Sequence, residues 1–440
     1  YPHDELDRLW QTVLLHEFHD ILPGTSIAWV HREAVSVLSG VLSDAEELSA
    51  TARAALAGEG DRMLEFTPTS VGSGRALGAA FADAAPTDAA TLGETAQGFV
   101  LENDLVAIQV SRNGLIVSAI DKATGRETIP AGKPANLFQL HQDFPNMWDA
   151  WDIDRYYKNR VEDLTEVTAI EASVIDGAAV VTVRRAFSES TLTQTIVLRP
   201  GSRTVLLRND IDWQETDKLL KLAFPLDLFA RETLAETQYG FQRRVTHVNT
   251  SWEAAKFETS MHRFVLAQED DGFGVALVND SIYGYDTARD VSGDDVTTTI
   301  RLSLLRAPRF PDPETDHGRH EIEVGLVIGA DAAIATAEGI RLNAPATIVR
   351  GADEVDPLVS VTGAGIVVSS VKLADDRSGD AIVRVYESLG RRARGVLEVA
   401  FPHSGIREVS LIEDDLDTPR TGPELSLRPF EVRTLRIARD

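Results

Sequence analysis

The chain has 440 residues, enough for two or three domains with cores of their own, and 43% hydrophobic against 25% charged residues is a globular balance. A formal net charge of −26 argues against a nucleic-acid phosphate partner, and the absence of cysteine excludes disulfides and thiolate metal sites. No apolar run approaches the roughly 20 residues of a membrane-spanning helix.

In chain order, Leu6, Leu9, Trp10, Val13, Leu14, Phe18 and Ile21 recur at i, i+3, i+4, i+7 spacing, which predicts a helix over 4–21 with one broad apolar face. His19 points to the other side, in line with Thr12, Leu15 and His16, before Pro23 and Gly24 end the helix. Its last turns therefore carry two imidazoles and two carboxylates, His16, Glu17, His19 and Asp20, which suit a first-row metal ion or a sugar hydroxyl. The zinc-protease pattern HExxH is not met, because position 20 is Asp and the second His comes at i+3. Residue types alone leave open a polar helix end with satisfied hydrogen bonds. A second helix is expected from Thr25 or Ser26, good caps, to about Leu56, with Ile27, Val30, Ala34, Val37, Leu38, Val41, Ala45, Leu48 and Ala52 as its stripe.

Residues 67–98, rich in Ala, Gly, Thr and Pro, make 59–98 a linker or an abbreviated small β region. Beyond Phe99 the pattern turns to strands, with hairpins expected at Asn113-Gly114, Asp176-Gly177 and around Pro200-Gly201. The fold class is thus mainly β: a two-helix segment over 1–58, a large antiparallel β-sandwich over 99–351, and a smaller one over 352–440, with the joint at 353–357. Trp148, Asp149, Trp151, Asp152 and Asp154 crowd a loop without strand alternation. Aromatic faces stack on sugar rings and carboxylates accept their hydroxyls, so this loop faces either a carbohydrate or, more plainly, its own sheet. Residues 246–252 and Tyr283 present the same choice. His317 and His320 read as structural residues of a loop rather than a metal pair.

The wording LWxxxLLxEFHDILPGTSI over 9–27 resembles the start of the middle domain in family 38 glycoside hydrolases, the retaining α-mannosidases of the bacterial and fungal cytosolic type (the first position reads Leu9). The likeness continues through 136–154 (NLFQLHQDFPNMWDAWDID), 212–227, 246–258, 272–286, 302–321 and 383–390, and is thin near 70–98. It implies that His19 is a zinc ligand and that Asp20 beside it touches the bound sugar; Trp151 and Asp152 join them as substrate-facing candidates on the chemistry of their loop alone. It also implies a three-helix-bundle middle domain, here reduced to two helices, and a mutarotase-like supersandwich. The other zinc ligands, the carboxylate nucleophile and the acid/base are expected on a preceding catalytic domain that this sequence lacks. The expected function is zinc-dependent hydrolysis of α-mannosides in the cytoplasm, with the chain alone inactive and holding zinc weakly or not at all. Self-association through residues 1–57 is expected. The rival expectation is a non-catalytic carbohydrate-binding or structural β-sandwich module.

Overall fold

A computed structural model describes residues 1–71, 75–82, 89–292 and 295–440. Helix α1 spans His3–His16 and helix α2 spans Ala28–Ala57. The first helix is shorter than its periodicity predicts. It stops where the Glu17 N–H is shared between the carbonyls of Val13 and Leu14, and residues 17–24 continue as tight turns closed by Ile21 N–H to Phe18 O at 2.8 Å and Gly24 N–H to Ile21 O at 3.1 Å. Pro23 disfavours helical backbone at Leu22, and Gly24 takes a left-handed φ of +73°. His19 and Asp20 therefore project from a turn, not from the last turns of a helix. Thr25 and Ser26 do not cap α2 either: Ile27 flanks its start without a side-chain bond, while both hydroxyls reach back to Asp20. Hydroxyl groups compete for local carbonyls in this way wherever a helix is ending.

The predicted apolar faces are covered in part, with Leu6, Val13, Val30, Val37, Val41, Ala45 and Leu48 half-buried, while other apolar side chains on and off those faces stay exposed. Leu9 is the buried residue of α1, and Ala34 and Ala57 are those of α2, whereas Trp10, Leu14, Leu15, Trp29, Val35 and Leu42 are each 60% exposed or more. The second helix touches the β region near both of its ends. His31 meets Asp312 near its start, and the Ala57 carbonyl accepts from Ala352 and Asp353 at its close.

Three antiparallel sheets share one contiguous core. The largest runs, in spatial order, through Ala169–Ile175, Ala178–Phe187, Ser190–Leu198, Thr204–Trp213, Gly318–Ile328, Gly274–Asn279, Phe264–Gln268, Glu232–Thr237 and Gly240–Val245. Facing the same core is a sheet of Val161–Asp163, Leu137–Gln142, Lys218–Leu226, Asp295–Arg306, Gly284–Ser292 and Thr259–Ser260. A third, built on Gly98–Glu102, Val106–Ser111 and Ile116–Asp121, completes the layer. The Asp176-Gly177 hairpin has positive φ at both residues, 49° and 77°, with Ile175 opposite Ala178, as a two-residue type I′ turn requires. At Asn113-Gly114 only the glycine is left-handed, and its N–H closes a turn on Ser111, so the hairpin carries one more loop residue than the Asn-Gly pair suggests.

Of the two readings of 59–98, the strands observed there fit the small β region rather than a linker. Arg62–Thr67 pairs with Thr347–Gly351 and Gly78–Phe81, and Arg75–Ala76 pairs with Val359–Val361 of the C-terminal sandwich, whose core includes Ala76. Within 59–98, residues 72–74 and 83–88 lie outside the described residues. The C-terminal sandwich packs two four-stranded sheets, one built on Ala381–Glu387 and Val432–Arg439 and the other on Ala393–Val399 and Glu424–Leu427.

Candidate functional site

The turn after α1 presents His19 and Asp20 side by side. His19 has a side chain 75% exposed, and its Nε2 lies 3.4 Å from Asp20 Oδ2. Asp20 is half-buried and held from behind. Its Oδ1 accepts the Thr25 hydroxyl at 2.8 Å, and its carbonyl accepts the Ser26 hydroxyl at 2.7 Å and the Thr25 N–H at 3.1 Å. One carboxylate oxygen is thus spent on fixing the turn, which leaves the other beside the imidazole. His16 instead turns its Nδ1 to the Thr12 carbonyl at 2.7 Å. A cleft of about 800 Å³ opens beside this turn, between α2 and residues 312–320, within the size range of small-molecule sites.

The loop that follows Leu137–Gln142 presents the second group of candidates. Trp148 adopts a left-handed φ of +60°, which lets its carbonyl accept from both Trp151 and Asp152 at 2.8 Å. The Trp148 and Trp151 rings meet edge to face at 6.1 Å, and Trp151 lies 6.4 Å from the Phe310 ring. Trp148 is 58% and Trp151 48% exposed, so neither tryptophan is packed away on the sheet. Asp152 is exposed, and its carbonyl accepts from Arg306 Nη2 at 2.8 Å. Arg306 Nε also holds Asp143 at 2.6 Å; burial pushes the Asp143 carboxyl up even though the guanidinium opposes it. Among the described residues no hydrogen bond or ion pair joins His19 or Asp20 directly to Trp151 or Asp152. Arg306 and Phe310 contact the tryptophan loop, and Asp312 contacts His31 on α2, whose other ring nitrogen faces Ser26 behind the His19/Asp20 turn.

A buried ionic cluster, which sequence reasoning missed, anchors the base of this loop. Lys221 is fully buried on Lys218–Leu226; its Nζ donates to the two Glu258 carboxylate oxygens at 2.7 and 2.8 Å and to the Tyr157 hydroxyl at 3.2 Å, and lies 2.6 Å from Asp286 as an ion pair. Arg301 and Lys158 complete the shell around Asp286 at 2.5 and 3.0 Å. Burial alone would raise the Asp286 carboxyl, but Lys221, Arg301 and Lys158 hold it well below the usual carboxylate range. Burial raises the Tyr157 hydroxyl, helped by Glu258 and Asp286, and pushes neighbouring His141 down to about 4, with Lys221 adding to the effect. Tyr157 and Lys158 belong to the 3-10 helix Arg155–Asn159, so the cluster pins the far end of the tryptophan loop to the sheet. The available signal was a single lysine inside the apolar run of 219–226.

The other histidines of interest are spoken for. His317 Nε2 contacts the Glu215 carbonyl at 2.8 Å, and His320 Nε2 contacts that of Asp316 at 2.7 Å. Among the described residues no group of three or more His, Asp or Glu side chains is placed to hold a metal ion. One imidazole and one carboxylate at His19 and Asp20 are chemically suited to zinc but fall short of the usual four-ligand set.

Helical hairpin, large sandwich and terminal sandwich succeed one another along the chain. Three family models match the chain in order: the α-mannosidase middle domain over residues 1–56, the glycosyl hydrolases family 38 C-terminal domain over 101–314, and the family 38 C-terminal β-sandwich domain over 365–435. The chain belongs to glycosyl hydrolase family 38. It is 29% identical to human alpha-mannosidase 2C1 and 27% identical to the alpha-mannosidase of Saccharomyces cerevisiae, each match covering 99% of this chain. It spans about half of those relatives, 46% and 44% of their lengths. In fold it is similar to an alpha-mannosidase from Enterococcus faecalis, with a TM-score of 0.76 at 16% identity over 99% of this chain and 64% of that one. No helix among the described residues is long and apolar enough to cross a membrane.

Proposed function

We propose that this chain is the middle and C-terminal part of a zinc-dependent retaining α-mannosidase, acting on α-mannosides in the cytoplasm. The observation that carries the reading is the juxtaposition of exposed His19 with Asp20 on a turn braced by Thr25 and Ser26, in a chain of family 38. In this reading His19 supplies one zinc ligand and Asp20 accepts a hydroxyl of the bound sugar. Trp148 and Trp151 offer apolar faces to a sugar ring, and Asp152 accepts from its hydroxyls. Zinc, when bound, would grip ring hydroxyls and favour a distorted sugar. A carboxylate nucleophile and a carboxyl acid/base, which retention of configuration requires, would come from a preceding domain. The 440-residue chain by itself therefore hydrolyses no α-mannoside, and it pairs with itself through residues 1–57.

Turnover of an aryl α-mannoside tests the reading. The 440-residue chain should be inactive with or without added zinc, and the longer protein active. Asp20→Ala in the longer protein should lower kcat/KM by about 10²-fold or more, the scale of losing a group that positions the reacting sugar. Full activity of that variant would remove Asp20 from the site, and zinc-dependent turnover by the 440-residue chain would overturn the division of labour.

A further inference from the structure

We propose that His31 and Asp312 are positioning residues that set the His19/Asp20 turn against the β-sandwich, so that residues 306–312 bracket both halves of the candidate site; this rests on the functional reading above.

The argument starts from the His31 ring. The Ser26 backbone N–H points at its Nε2 from 3.2 Å, and a backbone N–H can only donate, so Nε2 is an acceptor. The ring proton must then sit on Nδ1, which faces Asp312 Oδ2 at 2.9 Å. Both ring nitrogens are committed, and the tautomer is fixed by its two partners. Ser26 in turn donates its hydroxyl to the Asp20 carbonyl at 2.7 Å. A continuous path therefore runs from a sandwich carboxylate through an imidazole and a backbone amide to the residue that carries the candidate sugar contact. Thr25, Ser26 and Asp312 are all buried, at 5%, 9% and 4% exposure, so water competes poorly for these bonds.

Asp312 is itself held, its Oδ1 accepting the Glu314 N–H at 2.9 Å and its carbonyl the Thr315 hydroxyl at 2.9 Å. Two residues earlier, the Phe310 carbonyl accepts the Ala150 N–H at 3.1 Å, and Arg306 grips Asp143 and the Asp152 carbonyl. The same short segment thus fixes the tryptophan loop from one side and the His19/Asp20 turn from the other. Outer hydrogen-bond partners that orient a site's residues typically change activity by about 10- to 100-fold when removed.

Two arms of an experiment separate this inference from the reading it rests on. In the first, hydrogen exchange is followed on the 440-residue chain. His31→Ala and Asp312→Asn should speed exchange of the amides in residues 17–26 by about tenfold or more, while the core strands of the sandwich keep their protection. His31→Gln, whose longer side chain can bring its amide carbonyl to the Nε2 position and accept from Ser26, should recover part of that protection; His31→Asn, whose shorter amide can donate to Asp312 from the Nδ1 position but does not reach Ser26, should not. In the second, the longer protein with His31→Ala or Asp312→Asn should lose about 10- to 100-fold in kcat/KM. Unchanged exchange in 17–26, or acceleration spread evenly through the sandwich, overturns the positioning role whatever the activity. If Asp20→Ala leaves activity intact while the exchange pattern is as expected, the functional reading fails and the bracket stands.

Discussion

His141 is a histidine that the fold keeps neutral. It is buried between Lys221 and the Tyr157 ring, and burial followed by the Lys221 charge lowers its pKa to about 4. Above pH ~6.5 the ring is neutral in both folded and unfolded chains and contributes no pH dependence. As pH falls from there to 4, the unfolded chain takes up a proton that the folded chain refuses, so stability is lost across that window, on the order of 3 kcal/mol in all. Asp143, Asp280 and Asp316, whose carboxyls burial raises, act in the opposite sense and recover stability as they protonate. Their contribution is common to wild type and variant. Urea unfolding of both proteins at several pH values between 7.5 and 4 should therefore give a flatter profile for His141→Gln; parallel profiles would show that His141 does not titrate as argued. None of this was readable from the sequence, where His141 is one residue of an ordinary strand. His19 and Asp20 were readable, because chemistry-bearing residues clustered ahead of a Pro-Gly stop announce themselves. Their bracing was not, since Thr25 and Ser26 fit the pattern of helix caps equally well.

At the level of elements, the tryptophan loop owes its position to charges buried beneath it. Lys221 lies within strand Lys218–Leu226, flanked by Leu220 and Leu222 that face the common core. Removing its charge leaves Glu258 and Asp286 buried with their principal counter-ion gone, an imbalance that typically costs about 3–5 kcal/mol. Lys221→Met should show that loss in denaturant unfolding, together with faster hydrogen exchange in Arg155–Asn159. A loss below ~1 kcal/mol would mean that Arg301 and Lys158 satisfy the two carboxylates unaided. The hairpins show which part of such architecture a sequence reveals. Asp176-Gly177 is local, so its turn chemistry and the alternation on either side suffice to place it. The cluster unites residues from 141 to 301, and no local pattern reports a partner so far along the chain. A small β region was one of two readings of 59–98, but the partners of its strands were opaque for the same reason: Arg62 pairs with Gly351, and two-residue strands such as Arg75–Ala76 carry no periodicity of their own.

Across the whole molecule the least balanced feature is the helical end. Trp10 is 63%, Leu14 60%, Leu15 68% and Trp29 67% exposed, on two helices whose apolar faces the sandwich covers only in part. Contiguous apolar patches above a few hundred Å² are uncommon on soluble monomers, and burying one contributes several kcal/mol at about 25 cal/mol per Å². Pairing of two such ends would supply the missing cover. A net charge of −26 on each copy opposes the pairing, and that repulsion fades once salt shortens the screening length to about 10 Å or less. The 440-residue chain should therefore form a dimer or other small oligomer that tightens as ionic strength rises, the reverse of an association held by opposite charges. Sedimentation at low and high salt measures this, and Trp10→Glu, which places a charge at the centre of the patch, should return the chain to monomer in both. A monomer at both salts in the parent chain, or an oligomer indifferent to Trp10→Glu, would remove the helical end as the contact.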